Sequence, residues 1–496
     1  MVGILTLATF SFNGYSQSFD GYALYNLQNQ NTTYLIDKDG LIAHSWSCAV
    51  SCNYSVLLKD NGNIMRGGVY SGNQLNGAAV GGMVQEIDPD GNIVWEYIYS
   101  DADHASHHDI TLLPNGNVLL TAWEVKSTAE LTQAGVDNPT TEQWPTHFIE
   151  LQQDGTSAQI VWEWHMWDHM VQDYDNSKDN FGVISDHPEL MDINLLTVSS
   201  GGPGPSGGDW FHVNGIDYNE DLDQIVFSSR FLSEIIIIDH STNITEAAAH
   251  SGGNSGMGGD FIFRWGNPSN FGSTDPQTID EAVHDPRWID ADRPNGGYIQ
   301  FFNNEGGSGG NSAVDAINPP VNGYNYTMTG TSYGPSNYDW RHDCIVNSTG
   351  QSASNRMSNG NTFVNVSQQY MYEVDDQDNI VWQYNAGPTK AFRYECDHPG
   401  VAALLGADPC GLVSTEAIDY DISIYPNPSN GQINIKGIST LDSKVEIRVL
   451  DIQGNVILIA ENVDVINLDN QAEGLYFISV ILDDIEILKK KISIHR

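Results

Sequence analysis

The chain has 496 residues with 64 acidic and 20 basic side chains, a formal net charge of −44. So acidic a surface repels phosphate backbones and anionic headgroups, which argues against nucleic acid or a membrane surface as partner. With 12 Trp, 22 Tyr and 16 Phe and only 17% charged residues, the composition is that of a folded chain and not of a disordered acidic one.

The first element is an apolar stretch from Val2 to Phe12, followed by Asn13-Gly14-Tyr15-Ser16. Small residues at 14 and 16 predict a secretory signal over 1–16, cleaved after Ser16. No other segment approaches the roughly 18–20 apolar residues of a membrane span. Five cysteines suit an exported protein: Cys48 with Cys52, and Cys396 with Cys410, are plausible disulfides, and Cys344 is left over. The Cys-x₃-Cys at 48 and 52 has no second ligand pair, so no metal site is expected there.

From residue 17 to 398 a two-part unit recurs. Its first half is a hairpin with an Asn-Gly turn: SVLLKDNGNIMRGG (55–68), ITLLPNGNVLLTAW (110–123) and NRMSNGNTFVNV (355–366). Its second half ends in an aromatic-rich strand: VQEIDPDGNIVWEY (84–97), FIELQQDGTSAQIVWEW (148–164) and MYEVDDQDNIVWQY (371–384), with YLIDKDGLIAHSW (34–46) as a fourth copy. Alternating apolar residues around Asn-Gly are a hairpin signal because both central residues of the usual two-residue turn need positive φ. Weaker copies run from HVNGIDY (212–218) to FIFRWG (261–266), and from HDPRWI (284–289) through GYIQFFNN (297–304). Each full unit supplies about four short strands, the content of one propeller blade. Five such units and the N-terminal strands predict six blades. The Asp-x-Asp-Gly pieces lack the terminal Glu of an EF-hand and read as turns.

Residues 399–421 read as a connector, and 422–496 as a separate small β-sandwich with strands in ISIYPNPSNGQINI, KVEIRVLDIQGNVI, GLYFISVIL and KKKISIHR. From residue 421 onward there are 7 basic and 11 acidic side chains, which leaves a net −40 to everything before it. The fold class is therefore all-β: a six-bladed β-propeller followed by a small C-terminal β-sandwich. The YPNP opening, the D-x-x-G turn at 451–454, the G-L-Y-F strand and the basic last strand resemble the C-terminal sorting domain of type IX secretion substrates. That resemblance implies the type IX machinery as a partner, passage across both membranes of a Gram-negative envelope, and release or surface attachment.

In a propeller the first strand of each blade lines the central channel, so equivalent positions converge. Counting seven residues back from Asn61, Asn115, Asn219 and Asn359 gives Tyr54, His108, His212 and Ser352, and the fifth blade begins at His284. Three histidines at one blade position, in a chain with 15, point to nucleophilic, acid–base or ligand chemistry.

Here the chain resembles the arylsulfate sulfotransferases, secreted propeller enzymes that move a sulfuryl group from a phenolic ester to another phenol. The motifs carrying the resemblance are HHDITLLPNGNVLL (107–120), GGDWFHVNGIDY (207–218), IVFSSR (225–230), FIFRWGNP (261–268), HDPRWI (284–289) and FFNNEGG (301–307). It implies that His212 and His284 contact the sulfuryl group; His108, from the blade-position count, is a third catalytic candidate. Arg230 and Asn304 are the candidates for binding the sulfate oxygens. The substrates implied are a small-molecule aryl sulfate and a phenolic acceptor, with no cofactor and no metal.

Two positions depart from the family pattern. Asn303-Asn304-Glu305-Gly306 stands where the family has F-D-N-G followed by arginine, and after Gly306 the next arginine is Arg341. In the last blade, where the family's covalent acceptor histidine falls, the count gives Ser352, and the nearest histidine is His342. Either His342 reaches in, with Arg341 or Arg356 replacing the cation, or another histidine takes the acceptor role, or the activity has changed. The competing reading is a non-catalytic secreted propeller that binds a glycan or protein. A nucleotide-dependent transferase is disfavoured by the absence of a G-x-x-x-x-G-K-[ST] phosphate loop.

Overall fold

The repeated Asn-Gly turns close by a different geometry from the two-residue turn expected. Gly62, Gly116 and Gly360 have φ of 86°, 86° and 89°, whereas the preceding asparagines are not at positive φ. Each glycine N–H donates to the carbonyl three residues back, as from Gly62 to Lys59, and Asn61 Oδ1 accepts from Asn63 N. These are three-residue loops with the glycine in the left-handed position, so the asparagine acts through its side chain. The Asp-x-Asp-Gly pieces behave alike: Asp37 Oδ1 accepts from the backbone N–H of Asp39 and Leu41.

A computed structural model describes residues 18–196, 208–277, 281–410, 422–438, 444–451, 456–482 and 485–495. The expected signal over 1–16 and most of the 451–454 turn lie outside them. Two compact units are present, residues 1–410 and 411–496.

Among the described residues, the first unit holds six four-stranded antiparallel sheets. The second runs Cys52–Leu58, Ile64–Val69, Gly82–Ile87 and Ile93–Ile98. The third runs His104–Leu112, Val118–Glu124, Thr146–Asp154 and Ser157–His165. The fourth begins at Val213–Asn219, the fifth at His284–Trp288 and the sixth at Ala353–Arg356. The first sheet joins the two ends of the unit: Gly21–Asn26 pairs on one side with Thr32–Ile36 and on the other with Ala391–Glu395, in register from Gly21↔Glu395 to Tyr25↔Ala391. First strands of successive sheets pack on one another, Cys52–Leu58 on His104–Leu112, then on to Val213–Asn219, His284–Trp288 and Ala353–Arg356.

The recurring tryptophan of the last strand ties neighbouring sheets together. Trp95 Nε1–H donates to Ser157 O, Trp162 Nε1–H to Thr242 Oγ1 and Trp382 Nε1–H to Lys38 O. Trp95 and Trp162 thus bury their rings and Trp382 half-buries its own, while each indole's one donor stays satisfied.

Residues 399–410 belong to this unit and are not a free connector. Pro399–Leu405 is a short helix, Val401 is fully buried beside Leu58 and Ile87, and Cys410 closes a disulfide with Cys396. The second expected disulfide is absent. Cys48 and Cys52 are buried free thiols. The Cys48 thiol faces Trp46 O and the Cys52 thiol donates to Ser55 O, so each is turned to its own segment's carbonyl. Burial pushes both thiols up despite the nearby Arg66 guanidinium. Cys344 is also free, its thiol pushed up to about 12 by burial.

The second unit has a three-stranded and a four-stranded antiparallel sheet sharing one core of Ile424, Ile433, Ile435, Val445, Ile447, Val449, Ile478, Val480 and Ile492.

Candidate active site

The first strands of the second to fifth sheets are irregular at one end. Register shifts fall between Cys52 and Val56, Ser106 and Ile110, Val213 and Gly215, and His284 and Arg287. A bulge releases side chains from the pleat and re-aims them. At these bulges His108, His212 and Asp285 carry φ of 46°, 50° and 51°, values that non-glycine residues adopt rarely and often at functional sites.

The result is convergence. Tyr54, His108, His212, Arg230 and His284 line one cavity of about 440 Å³ together with residues 347–351 and 367–369. The His108 and His212 rings stand edge to face with centroids 4.6 Å apart, and Tyr54 lies 5.3 Å from His108. Three of the four positions given by the seven-residue count, Tyr54, His108 and His212, thus meet the fifth-blade start His284 at one end of the sheets, whereas Ser352 does not line the cavity, its Oγ accepting from Ser367 N.

Each histidine is held through Nδ1. His284 Nδ1 lies 2.7 Å from Ala282 O and 2.6 Å from Asn304 Oδ1. Both partners accept, so Nδ1 carries the hydrogen and Nε2 keeps its lone pair. Burial, reinforced by Arg230 and His212, holds His284 well below the usual imidazole range, which keeps it neutral. His212 Nδ1 donates to Asp209 Oδ2 at 2.6 Å, and Asp209 takes a second bond from Trp123 Nε1–H. The adjacent His212 outweighs burial and lowers the Asp209 carboxyl. His108 Nδ1 meets His107 Nδ1 at 2.8 Å, and burial pushes both rings down, His107 to about 3.

Arg230 is the one permanently charged side chain among the described residues lining the cavity. Its Nη1–H donates to Thr349 O, which fixes the guanidinium at the rim. Asn304, expected as a substrate donor, has another place. It is buried, does not line the cavity, and both its amide hydrogens are used by Ser348 O and Gln351 O, so it orients His284. His342 does not reach in either: it lies on the outer strand Trp340–Asp343, bonded to Tyr372 Oη and Asp378 Oδ1. Arg341 is clasped by Asp315, and Arg356 packs over the Trp340 ring.

A buried charge cluster escaped the sequence reading. Lys390 Nζ lies 2.6 Å from Asp109 and 2.9 Å from Asp285, all three inaccessible to solvent, with the Tyr54 ring 5.5 Å away. Arg287 and Lys390 more than offset the burial that would raise the Asp285 carboxyl. The usable signal was the aspartate directly after the histidine in both HHD (107–109) and HD (284–285).

Among solved structures, the chain is similar to a protein of unknown function from Bacteroides caccae, with 11% identity, a TM-score of 0.42 and 75% of this chain and 98% of that one covered. BamB from Moraxella catarrhalis gives 10%, 0.30, 77% and 81%, and the Dos1 propeller 8%, 0.33, 96% and 93%. No curated protein matches the chain. Residues 423–495 match the secretion system C-terminal sorting domain, which directs the protein to the cell surface or the extracellular space. No helix among the described residues is long and apolar enough to cross a membrane. The arylsulfotransferase (ASST) family profile matches residues 15–385, which takes in all six sheets up to the final strand, and the chain belongs to that family.

Proposed function

We propose that the six sheets are the blades of a six-bladed propeller, closed by the pairing of Gly21–Asn26 with Ala391–Glu395, and that the second unit is a β-sandwich. Family membership supports aryl sulfotransferase-like function in general. On that footing, the cavity transfers a sulfuryl group between phenols through His284.

The observation that carries this reading is the tautomer of His284. With Nδ1–H given to Ala282 O and Asn304 Oδ1, a neutral imidazole offers its Nε2 lone pair within a cavity that also holds Arg230. Nε2 attacks the ester sulfur, the S–O bond breaks, and its electron pair leaves on the aryl oxygen. His212, protonated at Nε2 with its charge balanced by Asp209, gives that proton to the departing phenolate. In the second half the acceptor phenol returns a proton to His212 Nε2 as its oxygen takes the sulfuryl group from His284. The Arg230 guanidinium balances charge on the sulfate oxygens, and His108 shapes the wall beside His212. Because the net −40 lies on this side of residue 421, an anionic ester needs that local cation.

The test is single-turnover reaction with a chromogenic phenyl sulfate, followed by mass analysis of the peptide carrying residues 284–287. The expected result is one sulfuryl increment on His284 in the parent. His284→Ala should lose the increment and the phenol burst. In His212→Ala, both should slow by roughly 10²–10⁴-fold. A burst that survives His284→Ala would sink the assignment.

A further inference from the structure

Away from the cavity, His169, His250 and Asp260 bring three ligand-type atoms within 4.8 Å of one another. Asp260 Oδ1 lies 2.7 Å from His169 Nδ1 and 2.8 Å from His250 Nδ1. His169 is fully buried, and its other nitrogen, Nε2, lies 2.8 Å from Ala247 O. A carbonyl only accepts, so Nε2 carries the hydrogen, and a neutral His169 turns its Nδ1 lone pair toward the carboxylate. Two lone pairs at that distance repel. A cation between them, either a proton or a metal ion, resolves the contact, and the second imidazole aimed at the same oxygen completes a three-donor set.

The surrounding fold holds this set in place. His169 follows the short turn Met166–Asp168, and its ring is stacked on Trp164 with centroids 5.6 Å apart and planes 4° from parallel. The Trp164 indole N–H donates to Gly259 O at 2.7 Å. A Cβ at Gly259 would come within 2.0 Å of Ala247 O and 2.6 Å of His169 Nε2, so the loop closes this tightly only with glycine. The His250 side chain is 62% exposed, which leaves that side of the set open to solvent. None of the three residues lines the cavity described above.

We infer that His169, His250 and Asp260 form a binding site for a divalent transition metal of the zinc class. Both imidazoles coordinate through Nδ1 and Asp260 through its carboxylate, with the remaining positions open to water on the His250 side. Two imidazoles and one carboxylate suit zinc, cobalt or nickel, whereas calcium and magnesium take all-oxygen sets. Ala247 O supplies the outer acceptor that metal-bound imidazoles commonly use. Binding displaces the proton between His169 and Asp260 to solvent and pins residues 247–260 to the 166–169 turn.

The test uses the full chain, stripped with chelator and titrated with Co²⁺, with the visible d–d absorption and the bound metal by elemental analysis as readouts. One equivalent is expected, displaced by Zn²⁺. His250→Ala and Asp260→Asn should each weaken binding by at least about tenfold, the lower end of what even outer-shell changes do. His44→Ala, a change in the first sheet, should leave it unchanged. His250 is exposed, so His250→Ala carries the test if Asp260→Asn fails to fold. Less than one equivalent in the parent, undiminished affinity in His250→Ala, or an equal loss in His44→Ala would overturn the site.

Discussion

His107 is sealed inside the third sheet, its ring stacked on Trp123 at 4.2 Å, and it cannot take a proton without losing that environment. Burial likewise pushes His108, His147 and His284 well below the usual imidazole value of 6.5. For such groups the unfolded chain binds the proton first, so stability is full above about pH 6.5 and falls as pH drops below it. Each contributes a slope of up to about 1.4 kcal/mol per pH unit. His240 runs the other way. Burial opposes its charge, but Asp223 and Glu150 outweigh that and raise it to about 9, so its stabilisation is present below 6.5 and lost as pH rises through 9. Asp217, raised to about 6 by burial, opposes the acid fall, but at pH 5 its contribution is set against four imidazoles held far below 6.5. Urea unfolding at pH 5, 6.5 and 9 should therefore give the highest midpoint at 6.5. Lys390 sets a second test at this scale. Lys390→Met leaves Asp109 and Asp285 buried without their shared cation and should destabilise the chain by about 3–5 kcal/mol in the same assay. Adding Asp109→Asn should restore part of the loss, because the two changes act on one network.

At the scale of elements, what positions His284 is the packing of one first strand against the next. Gly215 sits where the fourth sheet's first strand meets the fifth: a Cβ there would lie 2.8 Å from Asp285 N and 2.8 Å from Pro286 Cδ. Both contacts are with rigid atoms, so the strands must part. Gly215→Ala should cost about 1–3 kcal/mol and lower phenyl sulfate turnover more than stability, because the displaced segment carries His284. Turnover equal to the parent's, with the melt shifted, would show that the site tolerates the movement. The same strands show which features were legible. The seven-residue count located Tyr54, His108 and His212 because turn and bulge are separated by a fixed run of strand, and spacing along one strand is a local property. Lys390 precedes Ala391–Glu395, a strand whose partner Gly21–Asn26 is some 370 residues away in sequence, so no local spacing could announce its place between Asp109 and Asp285. Asn304 is a position that spacing reaches, but which way its amide spends its hydrogens depends on the loop carbonyls of 348 and 351, which no local spacing specifies.

For the molecule as a whole, the boundary between the units shows how composition and packing differ as guides. The Gly, Ala and Pro residues of 399–410 read as a connector, yet Val401 fills the core beside Leu58, Gly400 comes close to the Lys59 carbonyl, and Cys410 is bonded to Cys396. A chain cut after Cys410 keeps every sheet, the helix and the disulfide of the first unit, while the second unit has a core of its own. That fragment should unfold in urea with the midpoint of the first-unit transition in the full protein, and should turn over phenyl sulfate at the parental rate. A cut after His398 removes the helix packing and the fourteen-residue disulfide loop together. The loop alone contributes about 3 kcal/mol in the chain-entropy view, and burial of Val401 adds roughly 1.5–3. The shorter fragment should therefore unfold at lower urea than the longer one by an amount equivalent to about 4–6 kcal/mol, and reduction should narrow the gap by destabilising only the fragment that ends at Cys410. Equal midpoints under oxidising conditions would mean that residues 399–410 are a connector after all.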